Sequence, residues 1–160
     1  MSMSLRVIVP PHPLISHWLT ILRNPTTPEI LYATGLEQLG TWLTYEALRD
    51  WIPSKKEQIT TSAGTTECSI IDPNIPILAI PYLPAGLELF RGARNLIPNS
   101  NLCIGGLPKE IEENAGIIFY IDQITTAKQL LKDLNHLKDK KIDTRRIRAV
   151  SYTHLRAHET

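Results

Sequence analysis

Residues 77–96, ILAIPYLPAGLELFRGARNL, decide the fold class. Ile77-Leu78-Ala79-Ile80 is a continuous apolar run, the pattern of a strand buried on both faces of a parallel sheet. Ala85 to Leu96 then reads as a helix, with Leu87, Phe90 and Leu96 among its apolar positions and Pro98 beyond its end. Moving outward, Leu102-Cys103-Ile104 and Ile117–Ile121 (IIFYI) read as further strands, Thr126 to Leu137 as a helix, and Ile147 onward as one more strand. An alternating β-α-β-α-β order predicts an α/β fold, a doubly wound parallel sheet.

The segment before it is helical. In Pro10 to Pro53, Leu14, Ile15, Trp18, Leu19 and Leu22 recur at helical spacing, as do Leu36, Leu39, Leu43 and Ala47. Pro13 suits a first helical position, where its missing N–H is no loss. His12 is expected to cap or pack, and Thr27 before Pro28 to start the second helix. Gly35 and Gly40 lie inside that helix, each about 1 kcal/mol worse than Ala there, so close packing is expected to explain them. Leu5 to Val9 reads as a strand or extended arm, Ser54 to Thr66 as a surface loop or edge hairpin, Ser69 to Ile71 as a short strand, and Asp72-Pro73-Asn74 as a turn. The two opening helices form an added layer over the sheet.

Composition narrows the function classes. A chain of 160 residues, 42% hydrophobic and 21% charged, is expected to form one domain. Its net charge of +1 supports no nucleic acid or membrane held by bulk electrostatics. No apolar run reaches the roughly 18 residues of a membrane helix, and a cytoplasmic protein is expected. Cys68 and Cys103 form no C-x-x-C pair, so two free thiols are expected and no metal site. The basic stretch Lys138 to Arg148 is interrupted by Asp139 and Asp143 and reads as a solvated helix end; an RNA face on Arg145, Arg146 and Arg148 is the competing idea. Val150 to Thr160, VSYTHLRAHET, can be back-translated into a transposase-type sequencing adapter. The native domain is therefore expected to span residues 1–149 and to lack its natural C-terminus, and His154, Arg156 and His158 carry no functional weight.

His12-Pro13-Leu14-Ile15, His17-Trp18-Leu19, Leu22-Arg23, Leu39-Gly40 and Trp42-Leu43-Thr44-Tyr45-Glu46-Ala47 resemble, in order, the opening of uracil phosphoribosyltransferases, most closely the branch of photosynthetic microbes and plastids. The resemblance implies the phosphoribosyltransferase type of α/β fold and pyrimidine salvage. Uracil would react with phosphoribosyl pyrophosphate (PRPP) to give UMP and diphosphate, with Mg²⁺ accompanying PRPP and the protein a homo-oligomer.

It also implies where ligand contacts fall. The family's V-P-I-L-R-A-G-L, whose arginine holds the diphosphate, corresponds to Pro81–Leu87, with Pro84 in the arginine's place and Ala85 and Gly86 matching. Proline has neither charge nor N–H. The family's G-x-x-R-D-E-x-T-L flap, with a second arginine, should follow Gly105; here Gly106 leads at once to Leu107-Pro108. The PRPP loop, D-P-x-L-A-T-G-G-[ST], corresponds to Asp122-Gln123-Ile124-Thr125-Thr126-Ala127-Lys128-Gln129. Asp122 matches the acid for the ribose hydroxyls and Thr126 the threonine, while Ala127 and Lys128 stand where two glycines let the backbone wrap a phosphate. The uracil segment, G-Y-I-x-P-G-L-G-D-A-G-D, would lie beyond Ala149. Two readings stand: a salvage enzyme with a degraded PRPP site and low or no activity, a pseudoenzyme at the limit, and a non-catalytic regulatory or oligomerisation protein that retains the fold.

Overall fold

The structure, a computed structural model, describes residues 6–122 and 127–152, with the backbone alone at Ala127. The elements are α1 (Pro13–Arg23), α2 (Glu29–Leu48), β1 (Ser54–Thr61), β2 (Gly64–Ile71), β3 (Ile77–Pro81), α3 (Ala85–Ala93), β4 (Asn101–Leu102), β5 (Gly116–Ile121), α4 (Ala127–Asp139) and β6 (Ile147–Ser151). One 3₁₀ turn, Thr144–Arg146, precedes β6.

β3 to β6 form a four-stranded sheet in the order β4-β3-β5-β6, every neighbouring pair parallel. Because side chains alternate along a strand, the central strands feed two cores. Ile77, Ala79, Ile118 and Tyr120 pack on one face with Leu19, Leu36, Leu39, Leu89 and Phe90 of the first three helices. Leu78, Ile80, Ile117, Phe119 and Ile121 pack on the other with Leu137 of α4. Helices on both faces make the sheet doubly wound, as the unbroken apolar runs of β3 and β5 require, and all eleven residues of the two strands are buried.

Helix starts follow local chemistry. Pro13 opens α1, and His12 caps it, its Nδ1 accepting from the Leu14 N–H at 3.1 Å while the ring stacks on Trp42, centroids 5.9 Å apart. Thr27 does not cap α2. Its hydroxyl donates at 2.7 Å to the Ile21 carbonyl at the end of α1, which also accepts from the Asn24 N–H at 3.3 Å, and Pro28 precedes α2 without any side-chain cap bond.

Other boundaries also move. α3 stops at Ala93, three residues before Leu96, and tight turns carry the chain to Ile97, which is buried. The strand expected at Leu102–Ile104 pairs only at Asn101 and Leu102; Ile104 is exposed, and Gly105 and Gly106 turn the chain away at φ 94° and 112°. Such angles suit glycine. Residues 54–71 form one antiparallel hairpin from Ser54↔Ile71 to Thr61↔Gly64, so Ser69–Ile71 belongs to its second strand. Asp72 does make a turn, its Oδ1 accepting from the Asn74 N–H at 3.0 Å. β6 continues through Val150, opposite Tyr120, and Ser151, and the Tyr152 hydroxyl lies 2.8 Å from that of Tyr32. A parallel strand pairs through its backbone, so any apolar residue after Ala149 would extend β6 in this way.

Candidate functional site

β3 and β5 are neighbours whose outgoing connections diverge: β3 leads through α3 on one face to β4, and β5 through α4 on the other to β6. Beyond their carboxyl ends lies the crevice where open α/β sheets take ligands. Two segments meet there. Tyr82–Pro84 follows β3, Asp122 follows β5, and the Tyr82 N–H donates to the Tyr120 carbonyl at 2.8 Å.

Pro84, Ala85 and Gly86, after β3, and Asp122, after β5, thus lie at the same end of two paired strands. The Leu83–Pro84 peptide is cis. The Gly86 N–H donates to the Tyr82 carbonyl at 2.9 Å, and a side chain at Gly86 would overlap the Tyr120 carbonyl, so glycine there seats α3 against β5. Asp122 is half-buried. The first turn of α3 carries Glu88, and Arg91 from its last turn is held by Glu88 at 3.0 Å and Glu37 at 3.6 Å. The one arginine within α3 is thus held on the helical layer.

α4 starts at Ala127, and a helix start offers unpaired N–H groups to an anion. Thr125 and Thr126, with Gln123 and Ile124, lie outside the described residues. Lys128 and Gln129 part company. Lys128 is exposed and lines a shallow outer depression with Leu131, Lys132 and His136. Gln129 turns to Asp133, its Nε2 donating to Oδ1 at 3.0 Å.

Asp133 is the residue that sequence reasoning missed. It is 8% exposed, and the Tyr82 hydroxyl donates to its Oδ2 at 2.6 Å, while the Tyr82 ring meets Phe119 edge-on. The bond ties the segment after β3 to the helix after β5, fixing one side of the crevice against the other. Burial, then the hydrogen bond to Asp133, pushes the Tyr82 phenol far above its ordinary range, so it remains a donor. A signal was present: Asp133 falls in phase with Leu130, Leu134 and Leu137, where a charged residue needs a partner. Tyr82→Phe is expected to lower stability by about 1.5–3 kcal/mol, the usual effect of removing a bond to a charged group. Urea denaturation checks this; an unchanged midpoint would mean the strut carries no energy.

The connection from β4 to β5 passes Gly106 without a helix or strand, and Leu107 and Ile111 cover the sheet face beside α4. The basic stretch is occupied locally. Arg145 pairs with Asp143 at 2.9 Å, Arg146 donates to the Asn114 carbonyl at 2.7 Å, and Arg148 donates to its neighbours' carbonyls. Cys68 and Cys103 are free thiols. Among the described residues no helix is long and apolar enough to cross a membrane, and no three His, Cys, Asp or Glu residues group to hold a metal.

A parallel sheet wound on both faces, a helical layer over it and a switch point between β3 and β5 define an α/β protein of the phosphoribosyltransferase type. The family model for uracil phosphoribosyltransferase matches residues 9–157, and the chain belongs to the uracil phosphoribosyltransferase family. It is 31% identical to the uracil phosphoribosyltransferase of a Nostoc species and 34% identical to that of a Synechocystis species, each match covering 94% of this chain and 77% of the relative. The enzyme of Nicotiana tabacum is 29% identical over 90% of this chain and 71% of the relative. Among solved structures, the AQ2163 protein of Aquifex aeolicus superimposes with a TM-score of 0.66 at 19% identity, covering 91% of this chain and 85% of that one, a likeness of fold.

Proposed function

We propose that this chain is a pyrimidine-salvage protein of the cytoplasm whose conversion of uracil and PRPP to UMP and diphosphate is low or absent. The observation that carries the reading is Pro84 at the head of α3, at the same end of the sheet as Asp122, where the family places an arginine on the diphosphate. Losing one preorganised contact of this kind commonly slows a reaction about 10²- to 10³-fold. The missing flap after Gly106 and the replacement of two glycines by Ala127 and Lys128 act in the same direction. Asp122 remains to meet the ribose hydroxyls, and the start of α4 to meet the 5′-phosphate. Mg²⁺ supplies charge neutralisation when it rides on PRPP. The described residues include no three-ligand group that fits a protein-held ion, so no step is assigned to it.

The test is calorimetric titration of the purified protein with PRPP in Mg²⁺, alongside chromatographic detection of UMP. Weak PRPP binding with UMP at background is expected; turnover with kcat/KM above about 10⁴ M⁻¹s⁻¹, the range of ordinary enzymes, would overturn the reading. Pro84→Arg is expected to strengthen PRPP binding by about tenfold, the effect of one charge-assisted contact. Unchanged affinity would show that position 84 does not face the diphosphate.

A second reading, oligomerisation without catalysis, is favoured by the exposed apolar arm Val7–Val9 together with Ile30, which is 84% exposed. Sedimentation of the purified chain tests it, a monomer being the contrary result. We also propose that residues 150–160 are adapter-derived rather than native, which resequencing the gene through codon 149 would check.

A further inference from the structure

The amino ends of the strands carry a second cavity, opposite the crevice and sharing no residue with it. Its volume is about 350 Å³, and it is lined by Trp51, Pro53, Ile75 and Gly116 with the charged Asp143, Arg145 and Arg146. Gly116 is the first residue of β5, and Arg145 and Arg146 belong to the turn that feeds β6. β5 is six residues long, so the two sites stand roughly 20 Å apart along it.

The chemistry of this lining is specific. Trp51, Pro53 and Ile75 give an apolar wall with one flat aromatic ring. That ring rests on Gly116: a Cβ there would come within 2.6 Å of the indole Cη2 and Cζ2. Arg148 lies over the same indole at 5.6 Å from its centroid, fixing the ring with a cation–π contact. Arg145 and Arg146 supply cationic donors at the mouth. Arg146 commits one Nη1 hydrogen to the Asn114 carbonyl, and a guanidinium has five. Arg145 turns its Nε and Nη2 to Asp143, whose carboxyl it holds below the usual range through their hydrogen bonds, and keeps its Nη1 hydrogens. Two arginines against one aspartate leave the mouth positive.

We propose that this cavity binds a small organic phosphate bearing a flat ring, with Trp51, Pro53 and Ile75 taking the ring and the Arg146 and Arg145 guanidiniums the phosphate. The ring contributes by stacking and apolar burial, and the phosphate by charge-assisted N–H···O bonds from the guanidinium hydrogens that Asp143 and Asn114 leave uncommitted. Neither half suffices alone. The volume lies at the small end of ligand pockets, enough for a nucleoside monophosphate and too little for a larger cofactor. Because no lining residue belongs to the PRPP crevice, the inference stands whether or not the chain turns over PRPP.

The probe is AMP, titrated by calorimetry and by tryptophan fluorescence into the full chain, with adenosine and inorganic phosphate as its two halves. AMP is expected to bind, each half at least about tenfold more weakly, and saturating PRPP to leave AMP in place. The double variant Arg145→Ala, Arg146→Ala is expected to weaken AMP at least about tenfold without changing the melting temperature. Arg145 is 89% exposed in its side chain, so Arg145→Ala alone serves as the variant whose folding is secure. Absence of AMP binding, displacement by PRPP, indifference to both variants, or equal binding of inorganic phosphate alone would each overturn the proposal.

Discussion

Replacing Gly40 by Ala is expected to destabilise the protein by about 3 kcal/mol, although Ala is the better helix former by about 1 kcal/mol. The two effects compete, and the structure decides between them. α2 and α3 cross with their backbones in contact: a Cβ on Gly40 would overlap the Leu89 carbonyl of α3, and one on Gly92 would overlap the Glu37 carbonyl of α2. The crossing is closed by Thr41, whose Oγ1 donates to the Gly92 carbonyl at 2.8 Å. Backbone cannot rotate out of the way as a side chain can, so one methyl forces the helices apart. That separation would open the core around Leu36, Leu39, Leu89 and Phe90. Gly35 is the internal control, because a Cβ there meets the end of the Leu22 side chain at 3.0 Å, a neighbour able to shift. Gly35→Ala is therefore expected to be near neutral. For a chain of this length a loss of about 3 kcal/mol lowers the melting temperature by roughly 6–12 °C, readable by circular dichroism. A Gly40→Ala protein as stable as the parent, or a Gly35→Ala protein damaged equally, would show that the crossing tolerates separation.

The same glycines show how far the sequence could be read. The place of Gly40 inside a helix pointed to close packing, yet its partner was hidden, because Leu89 lies on another helix and only the fold brings the two together. β3 and β5 were legible because burial on both faces leaves nothing but apolar residues in Ile77–Ile80 and Ile117–Ile121. The hairpin was legible only in outline. Most of its residues are exposed, so no apolar face marks where Ser54 pairs with Ile71. β4 was misplaced because Leu102-Cys103-Ile104 is apolar throughout, while pairing ends where Gly105 and Gly106 redirect the chain. At the crevice, Pro84, Ala85, Gly86 and Asp122 came from resemblance to a family, and the sheet order brings them to the same end of two paired strands. Lys128 could not be placed that way, since whether it faces the crevice or solvent depends on the helical phase of α4. The cavity at the opposite end was invisible to any local motif. It draws Trp51, Ile75, Gly116 and Arg146 from four separate segments.

Stability is expected to fall steeply above about pH 10, and Tyr120 is the group responsible for a separable part of that fall. Its side chain is fully buried, edge-on to Phe90 at 5.7 Å, with the hydroxyl 3.2 Å from the Thr44 Oγ1. Burial pushes the phenol well above its ordinary range, and the Thr44 hydrogen bond pulls it back slightly. In the unfolded chain a tyrosine loses its proton near pH 10. Below that both states keep it, and Tyr120 adds no pH dependence. Above it the unfolded state releases a proton that the native state retains, so stability drops by about 1.4 kcal/mol per pH unit for this one group. Between about pH 10 and 12 Tyr120 alone removes about 2.5 kcal/mol; Tyr82, partly exposed, adds a smaller change of the same sign. Tyr120→Phe forgoes the Thr44 bond, about 1 kcal/mol at neutral pH, but has no proton to lose. Urea denaturation across this range should therefore show two curves that cross. The variant is weaker near pH 8 and stronger near pH 12, because every other titrating group is common to both proteins and cancels in the difference. Parallel curves would mean that the unfolded chain shields this tyrosine as well as the native fold does, and that its burial between α2, α3 and the sheet leaves no mark on the alkaline limit.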